Sequence, residues 1–142
     1  MEAAQFLNID LDVRSRRSLT PLAAAWPWAY QPMNADGNPD PHWLILHPMG
    51  RVKTAEAAAK ELLQHISGLR GAARQCWRTA HRRTFDIGVQ AGGNARAFEA
   101  VQLTAALRRI ATAGAQLQLT AYPVELESRF VIPKRRAAKT RR

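Results

Sequence analysis

Histidine pairs, cysteine pairs and long apolar runs are all missing from this chain of 142 residues, and each absence closes off a class of function. With Cys76 as the one cysteine, no intrachain disulfide can form, so a reducing, cytoplasmic setting is expected. His42, His47, His65 and His81 are scattered, without the short spacings that put two ligands on one helix face. No metal is expected. No apolar run approaches the roughly 18 residues that cross a bilayer, and Glu2 leads straight into an alternating pattern rather than a secretory leader. No association with a membrane is expected either.

The common catalytic signatures are absent too. There is no serine elbow, P-loop or dinucleotide fingerprint, and Gly92-Gly93-Asn94 lacks the helix start that phosphate binding requires. Cys76 falls in an apolar helical stripe beside Trp77, where a small buried hydrophobe is the ordinary reading. Arg74 and Arg78 flank it in sequence but lie elsewhere around the helix, so they do not make it a reactive thiolate. No catalytic residue and no cofactor is assigned, and the chain reads as a binding protein more readily than as an enzyme.

Acids are also scarce. The net charge is +10, but residues 133–142 hold six cations and no acid. Residues 1–132 hold 15 Lys/Arg against 11 Asp/Glu, only +4. The high pI therefore belongs mostly to a tail. Lys134, Arg135, Arg136, Lys139, Arg141 and Arg142 have too little apolar company to fold alone, so a disordered tail is expected. It could hold a polyanion without sequence preference, or it could simply keep the chain soluble.

What is present is periodicity. From Gln5 to Arg14, Leu7, Ile9, Leu11 and Val13 alternate with Asn8, Asp10, Asp12 and Arg14, a strand with one dry and one wet face. Thr20-Pro21 opens a short helix that Pro27 stops. Residues 27–41, with four prolines and the run Asn34 to Asn38, read as a long loop with room for a short edge strand near Trp28 to Gln31. Trp26, Trp28, Tyr30 and Trp43 bracket it, either plugging one end of the core or anchoring a partner. A strand over His42–His47 follows. Thr54 caps a helix with Ala55, Ala58, Ala59, Leu62, Leu63 and Ile66 on its apolar side, and Glu56 and Lys60 make an i,i+4 pair. A second helix is expected from Leu69 to about Arg82. Thr84–Gln90 alternates as a strand, the Gly92-Gly93 turn returns it as Ala97–Leu103, Thr104 caps a last helix, and Ala115–Tyr122 alternates again.

The expected order is β-α-β-α-α-β-β-α-β. Strands with one polar face predict a two-layer α+β sandwich, with a mainly antiparallel sheet of about five strands and helices on one face. Residues 1–132 form the single domain. Phe85-Asp86-Ile87-Gly88, the Gly92-Gly93 turn, Leu103-Thr104 before Leu107-Arg108-Arg109-Ile110, and Gly114 before the last strand resemble a bacterial family catalogued as a domain of unknown function. The resemblance covers residues 84–122 and implies a small α+β fold; it implies no catalytic residue and no activity.

Two constellations could carry function. Arg70, Arg74, Arg78 and Arg82 recur every four residues, a ridge drifting roughly 40° per step on one helix, and Arg83 extends it. No acid lies between Glu61 and Asp86 to neutralise it within the helix. The ridge is expected either to dock an acidic protein surface or nucleic-acid phosphates, or to be a solvated face paired elsewhere in the fold. The second constellation is Asp10, Asp12 and Asp86 on the wet faces of the first and third strands. If those strands are neighbours, the acids could converge into an acid–base or cation site; otherwise they are ordinary polar residues of a solvated sheet. The preferred expectation is a non-enzymatic module that docks an acidic protein partner through the ridge. Nucleic acid, held by tail and ridge together, is the alternative.

Overall fold

Ten residues of alternating pattern, Gln5–Arg14, form the long strand β1, on which the rest of the sheet is assembled. The computed structural model describes residues 4–92 and 101–123. Within them the order is β1, α1 (Thr20–Ala25), β2 (Trp43–Leu46), α2 (Ala55–Ser67), α3 (Gly71–Thr79), β3 (Arg82–Gln90), α4 (Ala105–Thr112) and β4 (Gln116–Tyr122). The chain is α+β, as its alternation implied, with one open four-stranded sheet in the order β2-β1-β3-β4.

The sheet is mixed. β1 runs antiparallel to β2 and to β3, while β3 and β4 are parallel, joined through α4. That corrects the expected five strands. β3 has β1 on one edge and β4 on the other, so the expected return strand Ala97–Leu103 has no edge of β3 left to pair with. Most of that segment lies outside the described residues, and Val101 to Leu103 are not strand. Turn chemistry at Gly92-Gly93 is a local signal, and it carries no information about which distant strands take the edges of β3.

A single apolar cluster joins the dry face of the sheet to the helices. Ile9, Leu11 and Val13 of β1, Leu44 and Leu46 of β2, and Phe85, Ile87 and Val89 of β3 meet Leu22, Leu62, Leu63, Trp77, Ala106 and Ile110. The α2 stripe is buried at all six expected positions, and the Thr54 hydroxyl accepts from Ala57 N at 3.2 Å as its cap. Leu7 departs from the pattern. A register irregularity between Phe6 and Asn8 leaves it 43% exposed. Gly88 answers the same irregularity, because a Cβ there would stand 2.6 Å from the Asn8 side-chain oxygen.

The aromatic residues around the long loop differ in burial. Trp26 is buried and packs edge-on against Trp77 at 6.4 Å, closing the core, whereas Trp28 and Tyr30 are exposed. The loop forms no named strand, but Tyr30 bridges Ile45 on the outer edge of β2 through two 2.8 Å backbone hydrogen bonds. Asn34 organises its tip, accepting from the amides of Asp36 and Asn38.

Candidate anion-binding groove

The arginine row does not survive as one helical ridge. α3 ends at Thr79, Ala80 is extended, and β3 begins at Arg82, so a spacing of four runs across a helix–strand boundary. The nine residues of β3 pair against β1 down to Arg14 and Arg82, which pulls this end of the expected helix into the sheet. Arg70 sits at the N-cap position of α3, and its guanidinium donates to the Ser67 and Leu69 carbonyls at 2.9 and 2.8 Å, satisfying the end of α2. Arg82 and Arg83 are neighbours on a strand and so point to opposite faces. Arg82 lies on the polar face, 3.2 Å from Asp12 and 3.4 Å from Gln118. Arg83 lies on the helix side.

The remaining members converge with two arginines the row did not include. A groove of about 720 Å³ is lined by Arg74 and Arg78 of α3, Arg83 of β3, and Arg108 and Arg109 of α4. Leu63, Ile66 and Trp77 lie behind it, and among the described residues no Asp or Glu lines it. Local sequence explains each placement. In α3, Trp77 is the buried residue, which leaves Arg74 and Arg78, four apart, outside. In α4, Ala106 and Ile110 face the core, which leaves Arg108 and Arg109 in solvent. Which other helix the two arginines would meet was not visible in the sequence.

Two contacts hold the α4 wall in place. At its N-terminus, the Glu56 carboxylate of α2 accepts from Thr104 N and Ala106 N, each at 2.9 Å, and from the Thr104 hydroxyl at 3.3 Å. The Thr104 and Ala106 amides hold the Glu56 carboxyl below its ordinary value, and Lys60, 3.7 Å away, adds to the effect. Thr104 therefore begins the helix as expected, but its own side chain is not the cap; Glu56 supplies the acceptor from another helix. At the other end, Trp77 Nε1 donates to Ala113 O at 3.2 Å. Arg83 lies between the walls. Its Nη1 donates to Trp77 O at 3.3 Å, and its guanidinium carbon stands 5.7 Å from the Trp77 ring centroid. Gly114, at φ +72°, leaves open the space that a Cβ would occupy 3.3 Å from Arg83 Nη1.

Helix dipoles offset part of this charge. The C-terminal parts of α2, α3 and α4 all contribute to the groove. Each helix end carries roughly half a negative charge, about −1.5 together against five guanidiniums. Among the described residues, none of Arg74, Arg78, Arg83, Arg108 and Arg109 forms an ion pair. The groove remains strongly cationic.

The carboxylates share the other face of the sheet. Asp10 stands directly across from Asp86 in the β1–β3 register, and Asp12 across from Thr84. Each is occupied internally. Asp10 contacts His47 Nδ1 at 2.6 Å; Asp86 accepts from the Thr120 hydroxyl at 2.6 Å and from Gln118 at 3.4 Å. Asp12 accepts from Trp43 Nε1 at 2.8 Å, with Arg14 3.6 Å away and stacked 3.9 Å over the same indole. Asp10 and Asp86 are thus neighbours, while Asp12 is drawn toward β2 and the two arginines. Among the described residues no three His, Cys, Asp or Glu side chains are grouped to hold a metal ion, and no helix is long and apolar enough to cross a membrane. Cys76 is half-buried, its Sγ 3.6 Å from Ser18 O. Lys134, Arg135, Arg136, Lys139, Arg141 and Arg142 lie outside the described residues. No protein-family model, curated protein or solved structure matches this chain, so the geometry of the groove carries the functional argument.

Proposed function

We propose that this protein is a non-enzymatic binding module that docks an acidic segment of a protein partner into the arginine groove between α3 and α4. The observation that carries this reading is five guanidiniums gathered in one concavity with no acidic lining residue among those described. Guanidinium forks match carboxylates in geometry as well as charge. A concavity of this size falls within the roughly 300–1,000 Å³ range of clefts that enclose a ligand, so it suits a protruding segment better than a flat surface.

A nucleic acid is the competing occupant, and two features favour the protein. Single-stranded nucleic acids are held by exposed aromatic platforms as well as by charge, but the one aromatic lining the groove among the described residues, Trp77, is 4% exposed, and the exposed Trp28, Tyr30 and Tyr122 are not among its lining residues. The polar sheet face, the usual platform for bases, carries Asp10, Asp12 and Asp86. The basic residues 134–142 would add long-range attraction for any anion without choosing among them. A cytoplasmic setting accords with the lone cysteine.

Fluorescence anisotropy on the full chain separates the occupants, with a labelled polyglutamate peptide and a labelled single-stranded oligonucleotide of equal charge as probes. Docking of an acidic protein segment predicts peptide binding that weakens in Arg78→Ala and Arg109→Ala. If the oligonucleotide binds and depends on those arginines while the peptide does not bind, the reading fails in favour of nucleic acid.

A further inference from the structure

The five guanidiniums come to the groove from three elements. Arg74 and Arg78 stand one turn apart on α3, Arg108 and Arg109 are consecutive on α4, and Arg83 belongs to β3. We infer that the group this groove takes from a docked segment is a phosphorylated side chain, a phosphomonoester dianion, with glutamate and aspartate as weaker substitutes. This inference rests on the reading of the groove as the dock of an acidic protein segment, and it names the chemical group that selects among such segments.

Charge and shape both favour the phosphoryl group. Five guanidiniums set against three helix ends leave an excess of roughly +3.5. A carboxylate brings one charge and two coplanar oxygens, which a single guanidinium fork satisfies. Matching the excess with carboxylates means crowding several like charges, each on its own flexible stem, into about 720 Å³. A phosphomonoester brings nearly two charges at pH 7 and three outer oxygens, so guanidiniums from α3, β3 and α4 have separate oxygens to engage. A nucleic-acid phosphodiester carries one charge and two free oxygens, and it matches less well. Arg83 suits the central contact. It is half-buried, tied to Trp77 O at 3.3 Å and held near the Trp77 ring, whereas Arg74, Arg78, Arg108 and Arg109 are exposed. A guanidinium fixed in advance gives up less conformational freedom on binding than a solvated one. Gly114 places no side chain against its Nη1 and Nη2, which a Cβ there would meet at 3.3 and 3.4 Å.

The test uses the full chain at pH 8, where the second phosphoryl proton, of pKa about 6, is gone. One labelled peptide holds a phosphoserine between two glutamates; the other holds four glutamates, so both carry the same charge. In fluorescence anisotropy the phosphopeptide is expected to bind about tenfold more tightly, the worth of one further charge-assisted hydrogen bond. Arg78→Ala/Arg109→Ala changes two exposed residues and should remove most of that advantage. Arg83→Lys keeps the charge but loses the planar fork, and should reduce it as well. Inorganic phosphate as competitor separates a phosphorylated segment from the free ion, and displacement should need phosphate far above the phosphopeptide's own Kd. Equal affinity of the two peptides overturns this inference and leaves the docking of acidic segments standing. A phosphopeptide advantage that persists in both variants places the phosphoryl group outside the groove and overturns it too. Displacement by inorganic phosphate at the phosphopeptide's own Kd marks a site for the free ion and overturns the inference together with the docked segment. Binding of neither peptide also removes both.

Discussion

Replacing Trp77 with phenylalanine tests whether one side chain holds the two walls of the groove together. The indole is 4% exposed, donates to Ala113 O at 3.2 Å and packs edge-on against Trp26 at 6.4 Å. Phenylalanine cannot donate, so the hydrogen bond is lost and the Ala113 carbonyl must find water; that costs about 1 kcal/mol. The smaller ring also leaves a void between α3 and the core, which adds about 1 kcal/mol. The expected loss is therefore about 2 kcal/mol, or roughly 6–8 °C in melting temperature for a chain of this size. Urea unfolding followed by circular dichroism would measure it, with an unchanged denaturant slope as the sign that the same cooperative unit unfolds. Trp28→Phe is the control. Trp28 is 40% exposed and leans on His65 at a ring distance of 5.0 Å, so its loss should stay below about 0.5 kcal/mol. Equal, small losses in both variants would refute the role given to Trp77.

Other consequences follow from single contacts. Arg108→Ala/Arg109→Ala removes two exposed charges from one wall, each worth about 1 kcal/mol to a docked carboxylate, so affinity for an acidic peptide should fall about tenfold to thirtyfold by anisotropy. Its melting temperature should hardly change. Glu56→Gln should lower the melting temperature at neutral pH, since a neutral amide is a poorer acceptor for the Thr104 and Ala106 amides. Because the folded-state pKa of Glu56 is depressed below the ordinary 4.5, its stabilisation is present above that value and is lost as pH falls through the folded one. The difference between wild type and Glu56→Gln should therefore shrink on acidification; a constant gap from neutral to acid pH would contradict this. Gly88→Ala should destabilise the β1–β3 pairing by about 1–2 kcal/mol, because its Cβ would stand 2.6 Å from Asn8 Oδ1. Adding Asn8→Ala should recover most of that loss in a denaturant titration, and no recovery would locate the strain elsewhere.

The parts of the fold legible in the sequence are those governed by short-range periodicity. Alternation placed β1 and β4 within a residue or two, and the 3.6-residue stripe identified every buried position of α2. The errors come from partners distant in sequence. Gly92-Gly93 invited a hairpin, but β3 had both edges taken by β1 and by β4, which arrives after α4. The row from Arg70 to Arg82 had helical spacing, yet pairing with β1 converted its end to strand and sent Arg82 to Asp12. The groove was half legible for the same reason. Arg74, Arg78 and Arg83 were singled out, whereas Arg108 and Arg109 joined them only because Glu56 and Trp77 fix α4 beside α3. The neighbouring placement of Asp10 and Asp86 was anticipated as a condition on strand order, and the register satisfies it. What no local pattern announced was the set of internal partners that occupies each carboxylate.

The central claim is that the five arginines of the groove, and not the basic end of the chain, hold the ligand. Following arginine Nε–Hε resonances of the full chain by NMR during titration with an acidic peptide tests it most directly. The account predicts saturable shifts at Arg74, Arg78, Arg83, Arg108 and Arg109, with Arg70 and Arg82 little changed because their guanidiniums are engaged within the fold. Shifts confined to Arg135, Arg136, Arg141 and Arg142, with the groove resonances still, would contradict it.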